Sequence, residues 1–306
     1  MKIIRVLAAV WLAVFACGRG LLAQDMPLSM LLIEGEEWQV VAEGLSSSDA
    51  PCADDQGNFY FTEPSRGRGI KKVDPQGNIS TIIDGAQGIS GLKFGPDGRL
   101  YACQGASRRI LAYEVASGRI AIIADNVEPN DLVVTHKGDI YFTETGKKQV
   151  TYVSAKGELR AADVGINKPN GITLSPDQGT LFVSDYGGTN IWAFRIEADG
   201  RLSAKAPYMT MRAPVDRQES AFGDGMATDS VGRYYVASAV GVQIFDPTGR
   251  MCGVLPKPQN RGLSSVMLAG PKLEYLYITC SDKVYRRKTK ATGVLFFQSP
   301  AAPGRQ

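Results

Sequence analysis

Histidine is nearly absent from this chain: His136 is the single one among 306 residues. It falls in a Lys-Gly turn and belongs to no cluster. A histidine-rich metal centre and a Ser-His-Asp hydrolase triad are both excluded. Cysteine is also sparse, with no Cys-x-x-Cys spacing. Four cysteines follow the N-terminal segment, Cys52, Cys103, Cys252 and Cys280, and they read as buried free thiols rather than a disulfide framework. Beyond residue 30 no apolar run approaches the roughly 18 residues a membrane helix needs. A net charge of one sign is missing too. The formal +3 comes from Lys2, Arg5 and Arg19, and the remainder carries 31 bases against 31 acids. General nucleic-acid binding is therefore not expected. The basic run from Lys283 to Lys290 reads as a solvated edge strand guarded by charge.

The N-terminus stands apart. Lys2 and Arg5 precede an apolar run from Val6 to Cys17, followed by small residues. Residues 1–23 read as a secretory signal cleaved after Ala23, with a lipoprotein signal ending at Cys17 or an uncleaved anchor as alternatives. The expected location is secreted or periplasmic. Residues 24–37 then form an N-terminal segment, 38–297 one domain, and 298–306 a tail.

What the chain does have is repetition. The phrases DQGNFYFTE, PDGRLYACQ, HKGDIYFTE, DQGTLFVSD, SVGRYYVAS and KLEYLYITC recur, marked by Tyr60, Tyr101, Tyr141, Phe182, Tyr235 and Tyr277 at spacings of 41, 40, 41, 53 and 42 residues. A period near 40 with several β runs per repeat predicts an all-β, six-bladed β-propeller with four-stranded antiparallel blades. The segment WQVVAEG (38–44) resembles the fourth strands of other repeats and is expected to complete the last blade. The fourth repeat carries an insertion, APYMTMRAPVDRQESAF, which is either a longer strand with a plain loop or a wall beside the channel mouth.

A polar residue recurs 11 or 12 positions before the markers: Asp49, Ser90, Asn130, Asn170 and Asp224; the sixth repeat offers Ser264 or Ser265, 13 or 12 positions before its marker. Each opens an inner strand, so together they form a ring at one mouth of the channel. One Asp or Asn at a strand start carries no information, because such side chains bond local backbone. Four at one repeat offset form an oxygen-only set of two carboxylates and two amides. That set suits a hard divalent cation, Ca²⁺ above all, with Mg²⁺, Mn²⁺ or Zn²⁺ as replacements. Any general base must be a carboxylate, or a water acidified by such a cation.

The segments EPNDLVVTHKGDIYFTE, KPNGITLSPDQGTLFVSDYGGTNIWAF and GDGMATDSVGRYYVA resemble the regucalcin–gluconolactonase family of six-bladed propellers, over about Trp38 to Arg287. The resemblance implies a divalent metal on Asp49, Asn170 and Asp224, with Asn130 beside it contacting substrate or water. It implies hydrolysis of a small sugar-type lactone, with Asp224 as base or water-orienting ligand. Three positions depart from the family pattern: Asp49 replaces a longer Glu, Ser90 replaces an Asn, and Glu128 stands where relatives place an Arg. The negative charge at Glu128 leads to the expectation of a substrate other than an acidic sugar. Arg108 and Arg109 are read as the start of an outer strand, outside the site. Competing readings are an NHL-like binding propeller that takes peptide or glycan without metal, and a metal-binding protein without turnover. The oligomeric state is not legible.

Overall fold

The computed structural model describes residues 26–66 and 69–300. The expected signal at 1–23 lies outside them. Six four-stranded antiparallel sheets follow one another along the chain. Their first strands are Asp49–Ala53, Ile89–Phe94, Leu132–Val134, Pro169–Leu174, Met226–Thr228 and Leu263–Ala269. Each first strand contacts those of the blades on either side, and the sixth contacts the first, so the six blades form a closed ring around an axis. The strand Gln39–Ala42 pairs antiparallel with Lys283–Lys288 and supplies the outermost strand of blade 6. Closure therefore joins the two ends of the chain. The basic run is consequently not an edge, contrary to the reading above: Gln39–Ala42 covers it. Lys283 pairs with Glu43 at 2.9 Å, and Arg286 lies 4.9 Å from the centre of the Tyr275 ring.

The repeated aromatic phrase has a direct packing reason. Successive strand residues point to opposite faces of a sheet. Tyr60 joins the apolar cluster between blades 1 and 2, whereas Phe59 and Phe61 join the one between blades 6 and 1. Six such clusters exist, one at each blade interface. Both faces of every blade are buried, which is why the second strands read as nearly continuous apolar runs rather than alternating ones. The same phrase also fixes its own turn. In blade 1 the Asp54 carboxylate accepts from the amides of Gln56 and Asn58 and from the Tyr60 hydroxyl at 2.8 Å. In blade 5 Asp229 accepts from the Val231 and Arg233 amides, the Tyr235 hydroxyl and the Arg233 guanidinium. In blades 1, 2 and 5 the marker tyrosine thus packs its ring between blades and anchors its hydroxyl on the turn aspartate.

The far end of the channel is closed by the chain's own C-terminal segment. Leu295, Phe296 and Phe297 lie under the ends of the first strands, against Phe94, Val134, Thr173 and Leu268. The Gln178 side-chain amide donates to the Phe296 carbonyl at 2.9 Å and its oxygen accepts from the His136 amide. His136 therefore sits on the face opposite the ring of polar residues. All four described cysteines are free, with Cys52, Cys103 and Cys280 buried. Among the described residues no helix is long and apolar enough to cross a membrane.

The Asp229–Arg233 pair is almost completely buried. Asp229→Ala strands a buried guanidinium and is expected to cost about 3–5 kcal/mol in denaturant unfolding. Asp199→Ala breaks the exposed Arg201 pair and is expected to move the unfolding midpoint far less. Equal costs would contradict this description of the turns.

Candidate active site

The ring residues are delivered by bulges. Pairing between first and second strands slips between Asp49 and Cys52, Ile89 and Gly91, Pro169 and Ile172, and Leu263 and Ser265. Each slip lies at the ring position, where the extra residue turns the strand and re-aims a side chain. At blade 1 this puts Ala50 in the left-handed region at φ 52°. Such a conformation costs a non-glycine residue about 1–2 kcal/mol and persists only where the surroundings hold it.

Those surroundings are a collar of hydrogen bonds at every blade interface. Thr62 Oγ1 donates to the Ile89 carbonyl at 2.9 Å, and Ser90 Oγ to the Asn130 carbonyl at 2.7 Å. Thr143 Oγ1 donates to the Asn170 carbonyl at 2.6 Å, and Ser184 Oγ to the Asp224 carbonyl at 3.0 Å. The Gly225 amide donates to the Ser264 carbonyl at 2.9 Å, and Ser264 Oγ to the Ser48 carbonyl at 2.9 Å. Three buried acids fix the loops entering the ring. Glu63 accepts from the Ser46 amide, Glu144 from the Glu128 amide and Asp185 from the Lys168 amide, at 3.1, 2.8 and 2.9 Å. The sequence reading missed both sets. Part of their signal was present: Thr62, Thr143 and Ser184 stand two residues after their aromatic markers, and Glu63, Glu144 and Asp185 three.

The Asn-Gly and Asp-Gly phrases are explained by crowding at the axis. A Cβ on Gly171 would lie 2.0 Å from the Asp224 carbonyl oxygen, and one on Gly225 would lie 1.9 Å from Ser265 Oγ. Only glycine lets these inner strands approach so closely. The structure brings Asp49, Ser90, Asn130, Asn170, Asp224 and Ser264 together around one small polar cavity of about 80 Å³, and Ser265 joins them. Both serine candidates of the sixth repeat thus line the site.

One further carboxylate lines this cavity and was not foreseen. Asp131 lies next to Asn130 and is buried, its Oδ1 accepting from the Leu132 amide at 2.8 Å. Burial lifts the Asp49 carboxyl to about 7; the charge of Asp131 adds to the rise, and the Ala50 amide and Ser264 hydroxyl oppose it. Burial, with Asp49 and Asp131 as like charges, pushes Asp224 well above the ordinary carboxylate range. Burial also raises Asp131, against the pull of the Lys93 ammonium. Like-charged oxygens confined together in this way favour either shared protons or a cation. Among the described residues no three side chains drawn from His, Cys, Asp and Glu converge on one point. A cation here would therefore need amide oxygens, and Asn170 and Asn130 supply them.

A larger cleft of about 480 Å³ opens onto Asp49 and Asp224. The insertion forms both of its foreseen alternatives. Its first part extends the fourth strand, Leu202–Thr210, and the remainder brings Arg217 and Phe222 to the cleft wall. Phe222 meets Tyr186 edge-on at 5.3 Å. Ser220 Oγ donates to the Tyr186 carbonyl at 2.6 Å, and the Ala221 amide to the Gly188 carbonyl at 2.9 Å, so the loop is pinned to blade 4. Glu128 is not in this cleft. It pairs with Arg108 Nη1 at 2.8 Å, which balances its charge. Arg109 opens the strand Arg109–Glu114, away from the site.

A gluconolactonase of Zymomonas mobilis is 26% identical over 292 residues, covering 83% of this chain and 82% of the relative. Among solved structures, a gluconolactonase from Xanthomonas campestris superposes with a TM-score of 0.75 at 22% identity, covering 86% of this chain and 92% of the other. A calcium-binding regucalcin from Agrobacterium tumefaciens superposes with a TM-score of 0.72 at 15% identity, covering 85% and 97%. These two likenesses bear on the fold. The family model described as the SMP-30/gluconolactonase/LRE-like region matches residues 47–282, from the loop ahead of Asp49 to the turn before the closing strand pair, and the chain is a member of that family.

Proposed function

We propose that this protein hydrolyses small sugar-type lactones with a divalent cation, Ca²⁺ first among the candidates, held by Asp49, Asn170 and Asp224 with Asn130 beside it. One observation carries the reading: the carboxylates of Asp49 and Asp224 and the amides of Asn130 and Asn170, with Asp131 beside them, face a single small polar cavity that shares Asp49 and Asp224 with a substrate-sized cleft. The donor set fits a hard cation, because it is all oxygen and because buried Asp224 stands among the like charges of Asp49 and Asp131, opposed by the Gly225 amide. The gluconolactonase relative of Zymomonas mobilis supports the lactone substrate.

When bound, the cation supplies Lewis acidity at the lactone carbonyl and offsets the negative charge that develops there. The chain's own groups do the rest. Asp224 accepts the proton of the attacking water as its oxygen bonds to the carbonyl carbon. The ring C–O bond then breaks, and the departing ring oxygen takes up that proton. One water is consumed and a hydroxy acid leaves. Asn130 holds the substrate by its amide, and Tyr186 with Phe222 walls the cleft. No histidine is within this machinery, so the raised basicity of a buried carboxylate stands in for it.

Asp224→Ala is expected to abolish stoichiometric cation binding in elemental analysis. Asp224→Asn keeps one oxygen ligand but no base, and turnover is expected to fall by about a hundredfold or more. Asn130→Ala is expected mainly to raise KM. Near-normal turnover in Asp224→Asn, or no hydrolysis across a broad lactone panel by the fully metallated protein, would overturn the reading.

The raised carboxyls give the pH dependence its sign. Asp49 titrates at about 7 when folded against an ordinary value of 3.8. The cation-free fold therefore loses this group's stabilisation as pH rises from about 4 through about 7. A cation competes with those protons, so its affinity weakens as pH falls. The rise in Tm on adding Ca²⁺ is expected to be clearly larger at about pH 8 than at about pH 5, measured by calorimetry. A rise independent of pH would place the cation elsewhere.

A further inference from the structure

The cleft is chemically two-ended. Asp49 and Asp224 lie at its floor, and Arg217 and Lys257 line its wall. Among the described residues no other lysine, arginine or acid lines it. Tyr186 lines the same cleft; burial raises its hydroxyl pKa, the charge of Asp224 adds to the rise and that of Arg217 opposes it. Arg217 is held over the Phe222 ring at 5.5 Å, and Phe222 is itself fixed at φ 54° two residues before Asp224. The guanidinium and the floor carboxylate are thus parts of one short, pinned segment.

Neither wall cation is neutralised by a strong partner. Arg217 has Asp216 at 3.8 Å, but both side chains are well exposed and such a neighbour contributes little. Lys257 is half-buried and has no ion pair among the described residues. The nearby rim acid Asp282 is engaged by Gln259 at 3.1 Å and Arg261 at 3.8 Å. With the floor carboxylates committed to a cation, what remains to face the substrate is positive.

We propose that Arg217 and Lys257 form an anion subsite, and that the preferred lactone carries a carboxylate or phosphate ester on the part of the molecule remote from its ring carbonyl. This rests on the lactonase reading for where the carbonyl lies. It reverses the expectation drawn from Glu128, whose charge is balanced by Arg108 outside the cleft. Arg217 offers a planar fork for two oxygens of the anion, and Lys257 a point charge opposite. A neutral aldonolactone leaves both cations to solvent and loses that attraction.

Product binding tests the subsite without requiring turnover. Calorimetric titration of the Ca²⁺-loaded protein would compare gluconate, which has one anionic group, with glucarate and 6-phosphogluconate, which have two. The wild type is expected to bind at least one of the doubly anionic acids about tenfold tighter than gluconate. Arg217→Gln and Lys257→Gln are each expected to remove most of that preference, while Lys272→Gln, on the opposite face, leaves it intact. Equal affinities for the three acids, no measurable binding, or a preference that survives in the Arg217→Gln/Lys257→Gln double variant would overturn the proposal. The last result would mean that the extra anionic group contacts the cation directly. Gluconolactone hydrolysis by the same preparations is read separately: a surviving preference without hydrolysis keeps the subsite and removes the lactonase reading.

Discussion

Everything in this molecule depends on closing the ring. Each blade is apolar on both faces, and each face is covered only by the neighbouring blade. A missing neighbour would expose a cluster of large side chains such as Phe59, Phe61 and Tyr277, each worth about 1.5–3 kcal/mol when buried. The strand Gln39–Ala42 therefore has a consequence far beyond its four residues: it completes the sheet of blade 6, which packs against blade 1. The site depends on the same closure, since Asp49, Asn130, Asn170 and Asp224 come from blades 1, 3, 4 and 5 and meet only at the axis.

Closure also explains how a strained, like-charged ring can exist. The collar of hydroxyl and amide hydrogen bonds ties each ring position to the next, at about 1 kcal/mol or so per bond. Glu63, Glu144 and Asp185 hold the incoming loops from behind. This scaffold fixes the three acids so that Asp131 adds to the proton affinity of Asp49, and both add to that of Asp224, on top of burial. The electrostatic cost is concentrated at one mouth, while the opposite end is packed with Leu295, Phe296 and Phe297. Polar chemistry is thereby confined to a single opening.

Much of this was legible in the sequence because duplication writes the same message six times. The period, the four strands per blade, the closing strand and the ring residues Asp49, Asn130, Asn170 and Asp224 all follow from fixed offsets. Asp131 did not, for a physical reason. Its equivalents in the other blades are Ala50, Gly91, Gly171, Gly225 and Ser265, all small because the inner strands crowd the axis. One acid among five small residues gives no repeating signal. It is accommodated because the space opposite belongs to Gly91, where a Cβ would lie 3.0 Å from Asp131 Oδ1. The basic strand Lys283–Lys288 misled for the opposite reason: its composition suggests an edge, but its covering strand lies some 240 residues away in sequence. Arg217 sits in an insertion, outside any repeat, and only the folded loop shows which way it faces.

The central claim is that the two carboxylates and two amides at the channel mouth form one hard-cation site that the cleft presents to substrate. Crystals soaked in Mn²⁺ and measured for anomalous scattering test it most directly. The account predicts one strong peak within bonding distance of Asp49, Asn170 and Asp224, with Asn130 in contact or one water away. A peak at the turn carboxylates Asp54 or Asp97 instead, or no peak at the mouth under saturating Mn²⁺, would contradict it.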